Sequence, residues 1–159
     1  MLKAHLVVTF LRLLLVTAFA FLVLFQIAIL PGTIWHQARE EPDMAHLRWP
    51  ILVVSDLVLL CMQVVIVCTW KLLTMVQEDR IFSDESLAWV DAIVAAIGAG
   101  WVIVFGSFVF VAVRADDPGF PVLLMAVLLG GAVLGLLMVV LRALLRQATT
   151  LRTDMEAVI

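Results

Sequence analysis

The chain alternates long apolar stretches with short polar ones. Four runs, roughly 6–30, 51–73, 87–113 and 122–145, hold only one or two charged residues each. Each run reaches the ~20 residues that a helix needs to cross ~30 Å of hydrocarbon. The runs lack the two-residue alternation of a barrel strand, and a lone strand would leave its backbone unpaired in lipid. The pattern predicts an all-α membrane protein, a four-transmembrane-helix bundle in one domain, 1–159, with a helical tail over 146–159. The "AFA" at 18–20 mimics a cleavage site. The apolar sequence continues through "FLVLFQIAIL", so the first run reads as a retained helix.

The polar connections set an expected orientation. An even number of spans puts both termini on one side. That side, with the middle connection, holds Lys3, Arg12, Lys71, Arg80, Arg142, Arg146 and Arg152, against Arg39, Arg48 and Arg114 on the other. Basic residues favour the cytoplasmic face, so both termini are expected there. Trp35, Trp49, Trp70 and Trp89 fall near predicted interfaces, whereas Trp101 lies deep in the third run. The first outer connection, "PGTIWHQAREEPDMAHLRWP", reads as a loop bracketed by Pro31 and Pro50, and "RADDPGFP" as a short turn that makes the last two helices a hairpin. In "VQEDRIFSDES", Ser83 suits the N-cap of the third helix, with Asp84 and Glu85 in its first turn.

Polar residues inside the runs are the candidates for function. Asp56 lies about 9 Å of helix rise beyond Pro50, in the outer third of the membrane. Gln63 follows seven residues later on the same face, and Trp70 continues the line. A carboxylate facing lipid costs a few kcal/mol, so this face is expected to point inward. Asp56 could pair with Arg48 or Arg114 or bond within the bundle, could line an outward-open ligand or ion pocket, or could take part in a cation or proton relay. Asp91 is the inner counterpart, with Arg12 and Arg142 at similar depth as expected partners. Small residues at four-residue spacing, Ala92, Ala96 and Gly100, then Ala126, Gly130, Gly131 and Gly135, predict close approach of the last two helices or an oligomer seam.

Composition narrows the chemistry. About two thirds of the residues are apolar, at 65%, and 14% are charged, which only lipid as solvent accommodates at this length. The net charge of −3 and the lack of a basic block speak against direct nucleic-acid binding. No catalytic signature appears, and the chain reads as non-enzymatic. His5, His36 and His46 all lie outside the hydrocarbon, so no in-membrane histidine pair exists for haem, and no cofactor is expected. The first outer connection gathers His36, Glu40, Glu41, Asp43 and His46. His36 and Glu40 could chelate a metal if that stretch is helical, with His46 as a further candidate, but a solvated acidic cap is the plainer reading. Cys61 and Cys68 are about 10 Å apart on one helix, too far for a bridge, and read as apolar core residues. In the tail, Leu151 and Met155 continue an apolar stripe. It could cover Ile81 and Phe82 of the inner connection or receive a cytoplasmic partner.

Two stretches, "RIFSDESLAWVDAI" and "LLRQATTLRTDMEAVI", resemble a bacterial family of small four-helix membrane proteins, domain-of-unknown-function family 2975. Phe82, Ser83, Asp84, Glu85 and Ile93 carry the likeness. Ser86 stands where the family usually has Asn, and Trp89 and Asp91 stand where basic residues are frequent. The resemblance implies a bacterial inner-membrane protein often encoded beside a helix-turn-helix regulator, and hence a membrane partner for such a regulator. The expected function is a small sensor or regulatory subunit coupling an outer pocket to a cytoplasmic partner. The alternatives are an oligomeric transporter or channel using Asp56 and Gln63, and an accessory subunit of a larger membrane complex.

Overall fold

The computed structural model describes residues 2–114 and 116–158, apart from the side chains at 38, 44, 45, 47 and 48. Its regular structure is helical throughout: α1 (Leu2–Leu24), a π-helical turn (Phe25–Ile29), α2 (Leu30–Glu40), a 3₁₀ segment (Pro42–Leu47), α3 (Arg48–Gln77), α4 (Asp84–Arg114) and α5 (Gly119–Val158). Four stretches, Leu2–Gln37, Trp49–Gln77, Asp84–Arg114 and Gly119–Val158, are long and apolar enough to cross a membrane.

The first of these is longer than the sequence pattern suggests. Pro31 should end a helix, because its ring crowds the carbonyl four residues back and it offers no N–H. Here the helix widens by one residue instead. The Leu30 N–H reaches back five residues to the Phe25 carbonyl, and α2 continues to Glu40. The expected twenty-residue loop is therefore largely helix. Pro50 sits in the first turn of α3, where a missing N–H removes no internal bond. At the other end of the chain α5 runs unbroken into the tail as far as Val158.

The helices pack in chain order: α1 on α3, α3 on α4, and α4 on α5. Among the described residues α1 makes no comparably close approach to α4 or α5, so the expected bundle is open rather than closed. The reason lies in what lipid rewards. Apolar burial drives nothing between helices there, and association needs small or polar contacts. Helix α1 is rich in Leu, Val and Phe, has no buried residue, and is tied to α3 by polar side chains. The exposed area of 11191 Å² compares with about 7,900 Å² for a compact soluble protein of this mass. The surplus is apolar helix surface for which hydrocarbon is the natural solvent.

Small residues set the closer pairs, on α5 as the seams suggest and on α4 with one difference. A Cβ on Gly100 would lie 3.6 Å from the Cys61 Cβ, so this part of α4 faces α3 instead of α5. A Cβ on Gly131 would lie 3.1 Å from Trp101 Cδ1, and one on Gly135 3.5 Å from Ile97 Cγ2, so these two bring α5 onto α4. The Trp101 indole N–H donates to the Leu128 carbonyl at 2.9 Å, which answers how a tryptophan can sit deep in the third run. Around it α3, α4 and α5 enclose a small apolar cavity of about 150 Å³.

Candidate functional site

Two polar clusters interrupt the apolar helices, one toward each end. The first joins α3 to the π-helical turn that follows α1. Gln63, 8% exposed, donates through Nε2 to Gln26 Oε1 at 2.6 Å. Gln26 in turn donates through Nε2 to the backbone carbonyl of Asp56 at 3.4 Å. Gln26 lies within the π-helical turn, where the extra residue re-aims the side chains that follow. The Asp56 Oδ1 atom is buried and has no hydrogen-bond partner among the described residues. Of its expected ion-pair partners, Arg114 instead lies over the Phe110 ring, 4.1 Å from the centroid, and the Arg48 side chain is outside the described residues. Asp56 is thus a buried acceptor beside an amide bridge that crosses from one helix to the next.

This site differs from the one read in sequence by one residue. Asp56 and Gln63 are brought together on the face turned to α1, but Gln26 supplies the bond between helices. The signal was present. Gln26 and Gln63 are the only glutamines inside the four apolar runs, and an amide in hydrocarbon requires a partner.

The second cluster lies at the end bearing both termini. Asp91 is paired with Arg142, which also donates through Nη2 to Oδ2 at 3.3 Å. This fork ties α4 to α5. Arg12, the other expected partner, is engaged elsewhere. Its Nη2 donates to Thr74 Oγ1 at 3.2 Å, its guanidinium lies 5.2 Å from the Trp70 ring centroid, and its Nε is buried without a partner. Nearby, the connection between α3 and α4 is built by local bonds. Asp79, at φ 55°, closes α3 with a Schellman motif in which the Arg80 N–H reaches the Met75 carbonyl at 2.9 Å. Ser83 Oγ accepts the Ser86 N–H at 3.3 Å, and Ser86 Oγ accepts the Ser83 N–H at 3.4 Å. This is a capping box with serine in the third position. Ser86 Oγ also donates to the Ile81 carbonyl and is fully buried. Arg80 bonds Glu78 and Glu85, and the Glu78 hydrogen bond and charge hold its guanidinium pKa above the ordinary value.

The tail reaches this connection. Arg152 lies 5.8 Å from the Phe82 ring centroid, 3.7 Å from Asp79 and 3.5 Å from Glu156. Cover for Phe82 thus comes from an arginine, while Leu151 and Met155 stay 64% and 69% exposed and Ile81 is half-buried. On the opposite end His36 and Glu40 do fall on a helix, 3.6 Å apart, but both are largely exposed. Among the described residues no group of three His, Cys, Asp or Glu side chains is placed to hold a metal, so His46 does not complete a site with them. Cys68 is buried and Cys61 partly so, and both are free thiols.

A comparison with known families identifies this architecture. The family described as "Protein of unknown function (DUF2975)" matches residues 32–159. The chain belongs to that family. The match covers α3, α4, α5 and the connection carrying Ser83 and Ser86, but begins after Pro31, so Arg12 and Gln26 lie outside it. No curated protein and no solved structure matches.

Proposed function

We propose that this DUF2975 member is a non-enzymatic regulatory subunit of the bacterial cytoplasmic membrane, in which a small cation or hydrogen-bond donor at Asp56 biases how α1 packs on α3. The supporting observation is the orphan Asp56 Oδ1 beside the Gln26–Gln63 bridge. A buried carboxylate oxygen without a donor is costly, and a ligand that supplies the donor stabilises the packing that holds it. Helix α1 is suited to move because, among the described residues, α3 is the long helix it packs on most and it buries none of its own residues. The same helix carries Arg12 to Thr74 and Trp70 at its other end, so a shift at Gln26 is felt beside the 78–86 connection. That connection, with Leu151 and Met155 of the tail, is the face offered to a cytoplasmic protein such as a helix-turn-helix regulator.

The test is a pair of measurements on the full chain in lipid nanodiscs. Spin labels on α1 and α4 should report a distance that changes with added cations or extracts in the wild type and not in Asp56→Asn. A tagged chain should retain a cytoplasmic regulator from native membranes to an extent that Asp56→Asn alters. An unvarying distance and no retained regulator would defeat the reading. Flux through liposomes that Asp56→Asn abolishes would replace it with transport.

A further inference from the structure

The second feature of α1 points to a different ligand, independently of Asp56. Beside α3 at the terminal end lies an open groove of about 760 Å³, lined by Leu6, Phe10, Leu13 and Val16 of α1, with Arg12 and Trp70 at its polar spot. From Leu6 to Val16 it follows about 15 Å of helix rise, a length suited to an extended acyl chain. Its only charge is the Arg12 guanidinium. Among the described residues that cation has no ion pair. Five described carboxylates of this end pair with other arginines, Glu78 and Glu85 with Arg80, Asp79 and Glu156 with Arg152, and Asp91 with Arg142, and no described carboxylate pairs with Arg12. Among the described residues Arg12 meets the neutral Thr74 hydroxyl and the Trp70 ring, and its buried Nε–H has no acceptor there.

An apolar channel ending on a guanidinium without a carboxylate partner, beside an interfacial tryptophan, complements an anionic phospholipid in shape and charge. We infer that this groove binds one such lipid from the leaflet on the terminal side, its phosphate accepting from the Arg12 guanidinium and an acyl chain lying along Leu6, Phe10, Leu13 and Val16. A planar guanidinium can give a phosphate two parallel bonds, which a zwitterionic headgroup answers less well because its own ammonium competes. The positive-inside pattern places this end in the cytoplasmic leaflet, where anionic lipids attract basic residues near the surface.

The deciding experiment is native mass spectrometry of the full chain, titrated in detergent with phosphatidylglycerol or phosphatidylcholine of matched acyl chains. One phosphatidylglycerol should bind about fivefold more tightly than phosphatidylcholine. Arg12→Gln should reduce its affinity to that of phosphatidylcholine, Arg12→Lys should keep part of the preference, and Arg142→Gln should leave it unchanged. Soluble glycerol phosphate should not displace the lipid. Equal affinity for the two lipids in the wild type overturns the inference, and this arm decides the matter even if Arg12→Gln does not fold. So does an undiminished preference in Arg12→Gln, or displacement by glycerol phosphate, which would make the site one for a free phosphate. A dimer whose formation, in place of lipid retention, depends on Arg12 would assign the groove to a second copy of the chain.

Discussion

Within the hydrocarbon, single polar residues carry much of the specificity that apolar side chains cannot. Gln63 and Gln26 satisfy one another across α1 and α3, so each is a liability without its partner. Gln63→Leu should destabilise the chain by about 1–3 kcal/mol, because it leaves the Gln26 amide unpaired in a dry place. Adding Gln26→Leu should recover much of that loss, giving a strongly non-additive double-mutant cycle in thermal melts followed by circular dichroism. Additive losses would mean that the two amides do not meet. Asp56 behaves in the opposite sense. Its Oδ1 is buried without a donor, so Asp56→Leu should stabilise the unliganded chain, by about 1 kcal/mol or more, seen as a higher melting temperature. A lower one would mean that the carboxylate already has a partner in the membrane.

These residues were unequally legible. Equal depth on neighbouring helices named two partners for Asp91, and α4 meeting α5 decides for Arg142. Arg12 matches Arg142 in depth, and depth says nothing of which helices are neighbours. The sequence marks Gln26 as needing a partner but not which way it points: its orientation depends on the π-helical turn, and the insertion of one residue into a helix leaves no mark on hydropathy.

At the scale of the element, the helices themselves follow from apolar length, while their ends depend on local chemistry that can be read only in part. Ser83 was recognisable as an N-cap, and its hydroxyl does accept the Ser86 N–H. The reciprocal role of Ser86 was not recognisable, since a capping box usually places Glu or Gln there. The structure explains how a serine serves at this position. The position needs one acceptor for the Ser83 N–H and one donor for the Ile81 carbonyl, and Ser and Asn both provide them. Ser86→Asn should therefore keep the loop's bonds, whereas Ser86→Val should lose both. The expected loss is about 1–2 kcal/mol in detergent melts, with faster amide exchange over 81–86. Pro31 is the converse case. A proline at the end of an apolar run reads as a stop, but a helix that can widen by one residue passes it, and α2 extends to Glu40.

The whole molecule is best understood from the surface that it does not bury. Its described core is small: Ile34, Cys68, Met75, Val90, Ile93, Ala96 and Leu128 are the buried apolar residues, and most large side chains of α1 and α5 face outward. In water such a protein would collapse or aggregate. In lipid the exposure is neutral, and stability rests on the amide bridge, the Asp91–Arg142 fork, the Trp101 hydrogen bond and the glycine contacts of α5. The same reasoning fixes what must be true of the chain's course. Contacts of Arg12 with Thr74 and of Arg152 with Asp79 put the start of α1, the end of α3 and the tail at one end of the molecule. If all four long helices cross the bilayer, single cysteines introduced at Lys3 and Thr153 of a chain lacking Cys61 and Cys68 should react with a membrane-impermeant maleimide from the same side. A third, at Asp117, should react from the opposite side. In right-side-out cells the expected outcome is labelling at Asp117 alone, with Lys3 and Thr153 labelled only after permeabilisation. Labelling of Lys3 and not Thr153 in intact cells would mean that one helix lies along the membrane surface. Helix α1, with the fewest ties to its neighbours, would be the first suspect, and the Gln26–Gln63 bridge could then no longer be a contact made inside hydrocarbon.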